Sequence, residues 1–499
     1  MNKNYIGGKW VAAHTGATFP CVNPATEEVL AELPNSDGVD VDRAVQAAAA
    51  AFDSWRKFPA PKRGEILFEA GRLLTERKEQ LARRMTEEMG KVLAEARGDV
   101  QEAIDMTFYV AGEGRRLVGQ VRPSELPNKA CFVTRDPIGV VAAITPWNFP
   151  MAIPSWKLMP ALVAGNSVVF KPASDTPLSA CALVEILEEA GIPPGVLNLV
   201  HGSGAVAGHA LATHPTISLV SFTGSTEAGR QIGMDGARDL KRVSLELGGK
   251  NAIIVLADAD LDLALDGILW SAFGTSGQRC TAASRVIVEH SAEEPLLERL
   301  IPRTRQLRLG NGLEATTDVG PLINQARREA VHAYVGVGQA EGARLATGGS
   351  PWGDRGWFYQ PTIFTAVRPD ARIAQEEIFG PVISVIPAAS IEQAVAINNH
   401  TPYGLSTSIY TRDVDKAFRA LRDITTGVVY VNAGTIGAEV HLPFGGTRGT
   451  GNGHREGGDT ALDVFTEWKT CYVDYSGQLQ RAQMAEQPST AGEEPMTRE

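Results

Sequence analysis

The sequence predicts an α/β protein built from two doubly wound α/β lobes, with a small β element outside both. Two observations predict it. From Ile138 to Glu246 short β-branched runs alternate with helical stretches, the pattern of βαβ units around a mainly parallel sheet. A second alternating block runs from Asn251 to about Asn432, and the joint at 247–250 contains Gly248-Gly249. A chain of 499 residues exceeds what one hydrophobic core holds, so two or three domains are expected.

The first third reads as mostly helical. Val41–Phe52 carries an alanine run, Lys62–Met89 has apolar residues at helical spacing, and Glu95–Leu117 forms a third candidate. Strands follow at Ile138–Thr145, Ser167–Phe170, Val196–Val200, Ile217–Phe222 and Arg242–Glu246. Between them come helices at Leu178–Ala190, Ala205–Thr213 and Thr226–Met234. In the second block the strands are Asn251–Leu256, Arg285–Val288 and Val382–Ile386. Its helices are Leu261–Phe273, Gln325–Gln339 and Ile391–Asn398. Two segments, Gln120–Arg135 and Glu467–Tyr475, read as strands outside both lobes. Ligands in open α/β sheets bind at the carboxyl ends of strands, which places the Glu246 turn well. Residues 484–499 are polar and read as a disordered tail.

Charge and cysteine usage exclude several classes. A net charge of −11 argues against a nucleic-acid or membrane-surface role. The five cysteines are scattered without a Cys-x-x-Cys pair, which reads as reduced thiols and a cytoplasmic setting. The nine histidines make no short-spaced cluster with them, so no metal site is expected. No apolar run is long enough for a membrane span, and the first residues lack a signal peptide's apolar stretch.

Chemistry is concentrated in a few segments. Gly277-Gln278-Arg279-Cys280-Thr281 puts a thiol on a glycine turn beside a cation that favours the thiolate. Leu245-Glu246-Leu247-Gly248-Gly249-Lys250 offers a carboxylate base, and Thr145-Pro146-Trp147-Asn148-Phe149-Pro150 an amide between prolines. Phe222-Thr223-Gly224-Ser225-Thr226-Glu227-Ala228-Gly229 leads from a strand into a helix, whose free N–H groups suit a pyrophosphate. Gly202–Gly208 also looks like a dinucleotide fingerprint, but its third glycine comes one residue late, so 222–229 is preferred. Taken singly, each segment reads equally as a buried cysteine, a surface carboxylate, a turn or a helix cap.

Together these segments resemble the aldehyde dehydrogenase superfamily in motif order and spacing from about Tyr5 to Tyr475. The resemblance implies Cys280 as nucleophile, Glu246 as the base that hydrolyses a thioester, Asn148 as an oxyanion donor and Lys157 as an organiser of the site. It implies NAD or NADP as cofactor, with Trp147, Gly224, Ser225 and Gly229 around the diphosphate. Lys171 and Ser174 fall at the adenosine ribose, and Glu377 and Phe379 at the nicotinamide ribose. NAD-selective relatives often carry Glu where this chain has Ser174, which leaves NADP open. Glu246 favours free acid over acyl transfer to coenzyme A. Ser124–Lys129, Gln278-Arg279-Cys280 and Gly437-Ala438-Glu439 look most like the 2-oxoglutarate semialdehyde and 2-aminoadipate semialdehyde dehydrogenase branches. A distal substrate carboxylate would then meet Arg279, which reads equally as a structural arginine, and the loop of Gly434, Thr435 and Ile436. Glu102, which could hold an amino group, reads as part of a solvated helix face.

The resemblance also implies the domain plan. A dinucleotide-binding domain covers 1–119 and 142–249, and a catalytic domain 250–445. Segments 120–141 and 464–483 mediate a homodimer or homotetramer. Succinate semialdehyde or a broad range of aldehydes are alternative substrates. A cofactor-independent thiol hydrolase, or a non-catalytic binding protein, would leave the 222–229 and 376–381 motifs or the Cys280, Glu246 and Asn148 set without a purpose.

Overall fold

The computed structural model describes residues 2–483, so the expected tail at 484–499 lies outside the described residues. Two seven-stranded sheets dominate. The first runs Arg242–Glu246, Ile217–Thr223, Val140–Ile144, Ser167–Lys171, Leu197–Leu199, Asn4–Ile6, Lys9–Val11. Its first five strands are parallel and the last two antiparallel. The second runs Arg344–Thr347, Thr362–Thr365, Val382–Ala388, Ala283–Glu289, Asn251–Val255, Ser406–Tyr410, Val428–Val431, with only the first strand antiparallel. Strands such as Val140–Ile144 and Asn251–Val255 are buried at every residue, because helices cover both faces of a parallel sheet. That is why they read as continuous apolar runs rather than alternating ones.

Several local expectations change. The first third is not purely helical: the N-terminal region contributes Asn4–Ile6, Lys9–Val11 and the hairpin Thr18–Val22/Val29–Pro34. The expected Lys62–Met89 helix is two helices, Ala60–Glu76 and Lys78–Met89. They break at Arg77, whose N–H still bonds Leu73, with no Gly or Pro to mark the break. Strands Ser406–Tyr410 and Val428–Val431 and helices His290–Arg305 and Val414–Asp423 had not been anticipated; the first of these helices carries Pro295 and Pro302 inside it. The segments outside the lobes form a separate antiparallel sheet, Thr466–Asp474, Lys129–Pro137, Gln120–Pro123.

The two large sheets meet at the 247–250 joint. It connects an edge strand of the first sheet, ending at Glu246, to a central strand of the second, beginning at Asn251. The segment around Thr450 ties it down: Leu247 N–H donates to Thr450 O (2.7 Å), and Thr450 Oγ1 donates to Gly248 O (2.9 Å). Gly249 is required here, since a Cβ would stand 2.7 Å from the Cys280 carbonyl oxygen. The joint therefore presses the Glu246 end of one sheet against the Cys280 turn of the other. No helix among the described residues is long and apolar enough to cross a membrane.

Candidate active site

Cys280 follows a strained turn. After helix Leu261–Phe273 the backbone passes through Thr275 (φ 51°), Ser276 (φ 56°) and Gly277 (φ 70°), three successive left-handed residues. Such a run persists only where the surroundings over-determine it. Glu95 accepts from Thr275 N–H (2.8 Å) and Thr275 Oγ1 (3.2 Å), and Ser276 Oγ donates to Gly320 O (2.7 Å). The buried Gln278 amide bonds Thr275 O, Pro321 O and Ile323 N–H. Asn251 Nδ2 then donates to Cys280 O (2.7 Å), fixing the residue itself.

Two cavities meet at this thiol. A smaller one of about 260 Å³ is lined by Glu246, Arg279, Cys280 and Ile436, with Phe149, Trp156, Trp270 and Phe444 as aromatic walls. A larger one of about 550 Å³ is lined by Trp147, Asn148, Lys171, Ser174, Gly224, Ser225, Glu377, Phe379 and again Cys280. Burial pushes the Cys280 thiol up to about 12, and the carboxylates of Glu246, Glu377 and Glu102 add to it. The thiol therefore rests protonated at neutral pH, whereas the sequence suggested a thiolate favoured by Arg279. Arg279 instead spends its charge on Glu95 (3.2 Å) and stacks over Trp270 at 4.9 Å.

Glu246 is buried, and its carboxyl is held well above the ordinary range, first by desolvation and then by the neighbouring Glu456. Lys157 is fully buried, forms an ion pair with Glu456 and donates to Ser221 Oγ (3.2 Å). Asn148 Nδ2 donates to Gln278 O (3.1 Å), which uses one of its two amide hydrogens.

The predicted residues are not all on the cavity walls. Ile436 is, but Gly434 and Thr435 serve the backbone instead. Thr435 Oγ1 donates to Thr281 O (2.7 Å), and a Cβ on Gly434 would collide with the Ser271 hydroxyl. Gly229 stands behind the larger cavity, where its missing side chain lets the helix approach Leu247. The discounted Gly202–Gly208 segment does reach the larger cavity, through Gly204. Glu102 faces the smaller cavity rather than open solvent, and burial pushes its carboxyl to about 8. Sequence reasoning missed Glu456 and Glu95. Glu456 sits in the glycine-dense stretch 445–458, and Glu95 lies on the buried stripe of its helix, where a carboxylate is itself a signal.

The comparisons with known proteins follow the same lines. The model of the aldehyde dehydrogenase family matches residues 10–471. The chain belongs to that family. It is 41% identical to an alpha-ketoglutaric semialdehyde dehydrogenase of Bacillus subtilis, over 94% of this chain and 97% of that protein. It is 43% identical to an alpha-ketoglutarate semialdehyde dehydrogenase of Haloferax volcanii, over 95% and 99%. Betaine aldehyde dehydrogenase of Staphylococcus aureus, solved with NAD+, superposes with a TM-score of 0.94 at 35% identity, covering 96% of this chain and 97% of that one. An NADP-dependent enzyme of E. coli superposes at 0.92 with 38% identity, covering 95% and 98%.

The chain is thus an aldehyde-oxidising enzyme whose family uses NAD or NADP. The larger cavity fits such a cofactor on its own evidence. Among the described residues the Thr145 and Thr223 hydroxyls on its wall are buried without a partner, and the Lys171 amine bonds only Pro172 O (2.8 Å). Helix Thr226–Arg238 adds first-turn N–H groups at Ser225.

Proposed function

We propose that this enzyme oxidises a carboxylate-bearing semialdehyde, such as 2-oxoglutarate semialdehyde, to the free acid through a covalent thioester on Cys280. The observation that carries this reading is the position of Cys280, shared by an aldehyde-sized cavity containing Arg279 and a larger cavity suited to a dinucleotide. Cys280 gives up its S–H proton to water, the thiolate attacks the aldehyde carbon as its C=O π bond opens, and the second Asn148 Nδ2 hydrogen and the Cys280 N–H receive the oxyanion. NAD or NADP, when bound, would supply the hydride acceptor, and loss of hydride from that carbon leaves the thioester on Cys280. Glu246 then takes a proton from water, which attacks the thioester and releases the acid. Lys157, through its ion pair with Glu456, tempers the repulsion that raises the Glu246 carboxyl.

Trp147, Lys171, Ser174, Gly224, Ser225, Glu377 and Phe379 would hold the cofactor. Ser174 stands where a carboxylate would repel a 2′-phosphate, so NADP is accepted alongside NAD. Arg279 gives one N–H to Thr275 Oγ1 and one to Glu95. Its remaining N–H groups are available to a substrate carboxylate, and the aromatic walls suit the aliphatic spacer. The names of the relatives, which act on alpha-ketoglutarate semialdehyde, support the same class.

A second reading, 2-aminoadipate semialdehyde, is favoured by one observation: Glu102 faces the cavity. Its carboxyl, at about 8, is mainly protonated at neutral pH and so is a poor ammonium partner but a good hydrogen-bond donor to a carboxylate. That ranks 2-oxoglutarate semialdehyde, which has no ammonium group, first.

The domain plan read from the sequence, with its break at 249/250, is supported by the two sheets. The separate antiparallel sheet exposes Val121, Trp468, Tyr472 and Val473, which supports a homodimer or homotetramer built on it. All five cysteines are unpaired, in keeping with a reducing cytoplasm.

The test is cofactor reduction by purified enzyme, with Cys280→Ser as blank, on 2-oxoglutarate, aminoadipate and succinate semialdehydes and hexanal, each with NAD and NADP. The dicarboxylic substrates should exceed hexanal in kcat/KM by about 100-fold, roughly 2.7 kcal/mol. Equal values across the panel would refute the semialdehyde assignment.

A further inference from the structure

Lys91 lies in the short link between helices Lys78–Met89 and Leu93–Glu113, and no step of the reaction above uses it. Its side chain is 1% exposed, and its partner Asp99 is 0% exposed. The ammonium donates to Asp99 Oδ2 (2.8 Å) and to the main-chain oxygen of Asn148 (2.7 Å), and it sits 4.0 Å from the centre of the Phe149 ring. The other Asp99 oxygen accepts from Ala152 N–H (2.8 Å). One buried ion pair therefore pins the turn from Asn148 to Ala152 at both ends.

The same helix fixes the thiol. One turn before Asp99, Glu95 holds the Thr275 N–H and hydroxyl and the Arg279 guanidinium. Helix Leu93–Glu113 is thus a common base for the two loops whose spacing decides whether an oxyanion formed on Cys280 meets the Asn148 amide. A buried ion pair is weak evidence for stability, since a well-packed apolar pair often serves as well. Here the lysine makes a contact that no apolar residue could make, to the main chain of the proposed donor.

We propose that Lys91 is a positioning residue for the reaction, setting the placement of the Asn148 amide relative to Cys280 through its bonds to Asn148 O and Asp99. This rests on the reading of Asn148 as an oxyanion donor. Removing the anchor frees the Asn148 main-chain oxygen, leaving the turn held at Ala152 by Asp99 and at the Asn148 side chain by the Gln278 carbonyl. The oxyanion then forms out of register with its donor, while aldehyde binding among the aromatic walls continues.

The experiment compares wild type, Lys91→Met, Lys91→Arg, Asn148→Ala and the Lys91→Met/Asn148→Ala double variant. It measures kcat, KM and the rate of Cys280 alkylation by iodoacetamide, a reaction that builds no oxyanion. Lys91→Met should lower kcat about 100-fold, the scale of a 1 Å misplacement, with KM and alkylation changed by no more than about 3-fold. Lys91→Arg, which still donates to both partners, should recover most of kcat. In the Asn148→Ala background the Lys91 change should cost less than about 3-fold, because the donor it places is gone. An equal loss in both backgrounds, or alkylation falling in parallel with kcat, would overturn the proposal. Should Asn148→Ala itself retain full kcat, the oxyanion reading fails first and the proposal with it. If Lys91→Met does not fold, Asp99→Asn keeps the shape and weakens the anchor. It should show the same pattern at about 10-fold, and an unchanged kcat would overturn the idea.

Discussion

Replacing Gly277 by alanine should disable the enzyme through geometry alone. Gly277 holds φ 70°, a conformation that costs a residue with a Cβ about 1–2 kcal/mol. The added Cβ would stand 2.5 Å from the Gly380 carbonyl carbon, closer still to its oxygen, and 2.9 Å from Pro381 N. All three are main-chain atoms, which cannot swing aside as a side chain would, and overpacking of this kind costs about 1–3 kcal/mol more. Cys280 lies three residues on, so relief of the clash moves the thiol away from Asn148 and Glu246. A displacement near 1 Å corresponds to about a 100-fold loss of kcat. Gly336→Ala is the control: it sits within helix Gln325–Ala340 with nothing near its added methyl, and should be neutral or slightly stabilising. The assay is steady-state cofactor reduction alongside thermal unfolding of both variants. Wild-type kcat and Tm in Gly277→Ala would refute the reasoning.

Three further outcomes follow from the site. Ser174→Glu puts a carboxylate beside Lys171 at the far end of the larger cavity, so the NAD to NADP ratio of kcat/KM should rise about 100-fold; an unchanged ratio would place the 2′-position elsewhere. Because burial raises the Cys280 thiol to about 12, the thiolate fraction is small at pH 7 and grows with pH. Iodoacetamide alkylation should therefore climb about tenfold per pH unit between 7 and 9, and a plateau near 7 would contradict the desolvated, protonated thiol. Glu456→Gln removes a carboxylate that raises Glu246, so the Glu246 carboxyl falls toward its ordinary value and the acid limb of kcat moves to lower pH. A shift to higher pH would contradict this, because Lys157 released from Glu456 lowers the Glu246 carboxyl further.

What the sequence revealed follows the range of the interactions involved. Val140–Ile144 and Asn251–Val255 were legible because burial on both faces writes a continuous apolar run. The three-residue strands Asn4–Ile6 and Lys9–Val11 were not, being too short to show a period, and their existence depends on Leu197–Leu199 far along the chain. Among the site residues, Cys280, Glu246 and Asn148 could be picked out because each sits on a Gly or Pro turn of unusual composition. Arg279 was visible as a cation beside the thiol, but its neutralising partner Glu95 comes from a distant helix, so the state of the thiol was misjudged. Glu102 shows the same limit from the other side. Helical periodicity separates polar faces from apolar ones, and a polar face looks alike whether it meets solvent or a cavity. Lys91 carries no local mark and Glu456 only its glycine-dense surroundings; their partners Asp99, Asn148 and Lys157 become neighbours only in the folded chain.

The account stands on a thioester at Cys280 that Glu246 hydrolyses. The most direct measurement is rapid mixing of Glu246→Gln with 2-oxoglutarate semialdehyde and cofactor, followed by mass analysis of the quenched protein. The account predicts a burst of about one reduced cofactor per site, steady turnover at least about 100-fold below wild type, and the acyl mass on the Cys280 peptide. Full steady turnover in this variant, or a burst with no acyl group on Cys280, would contradict it.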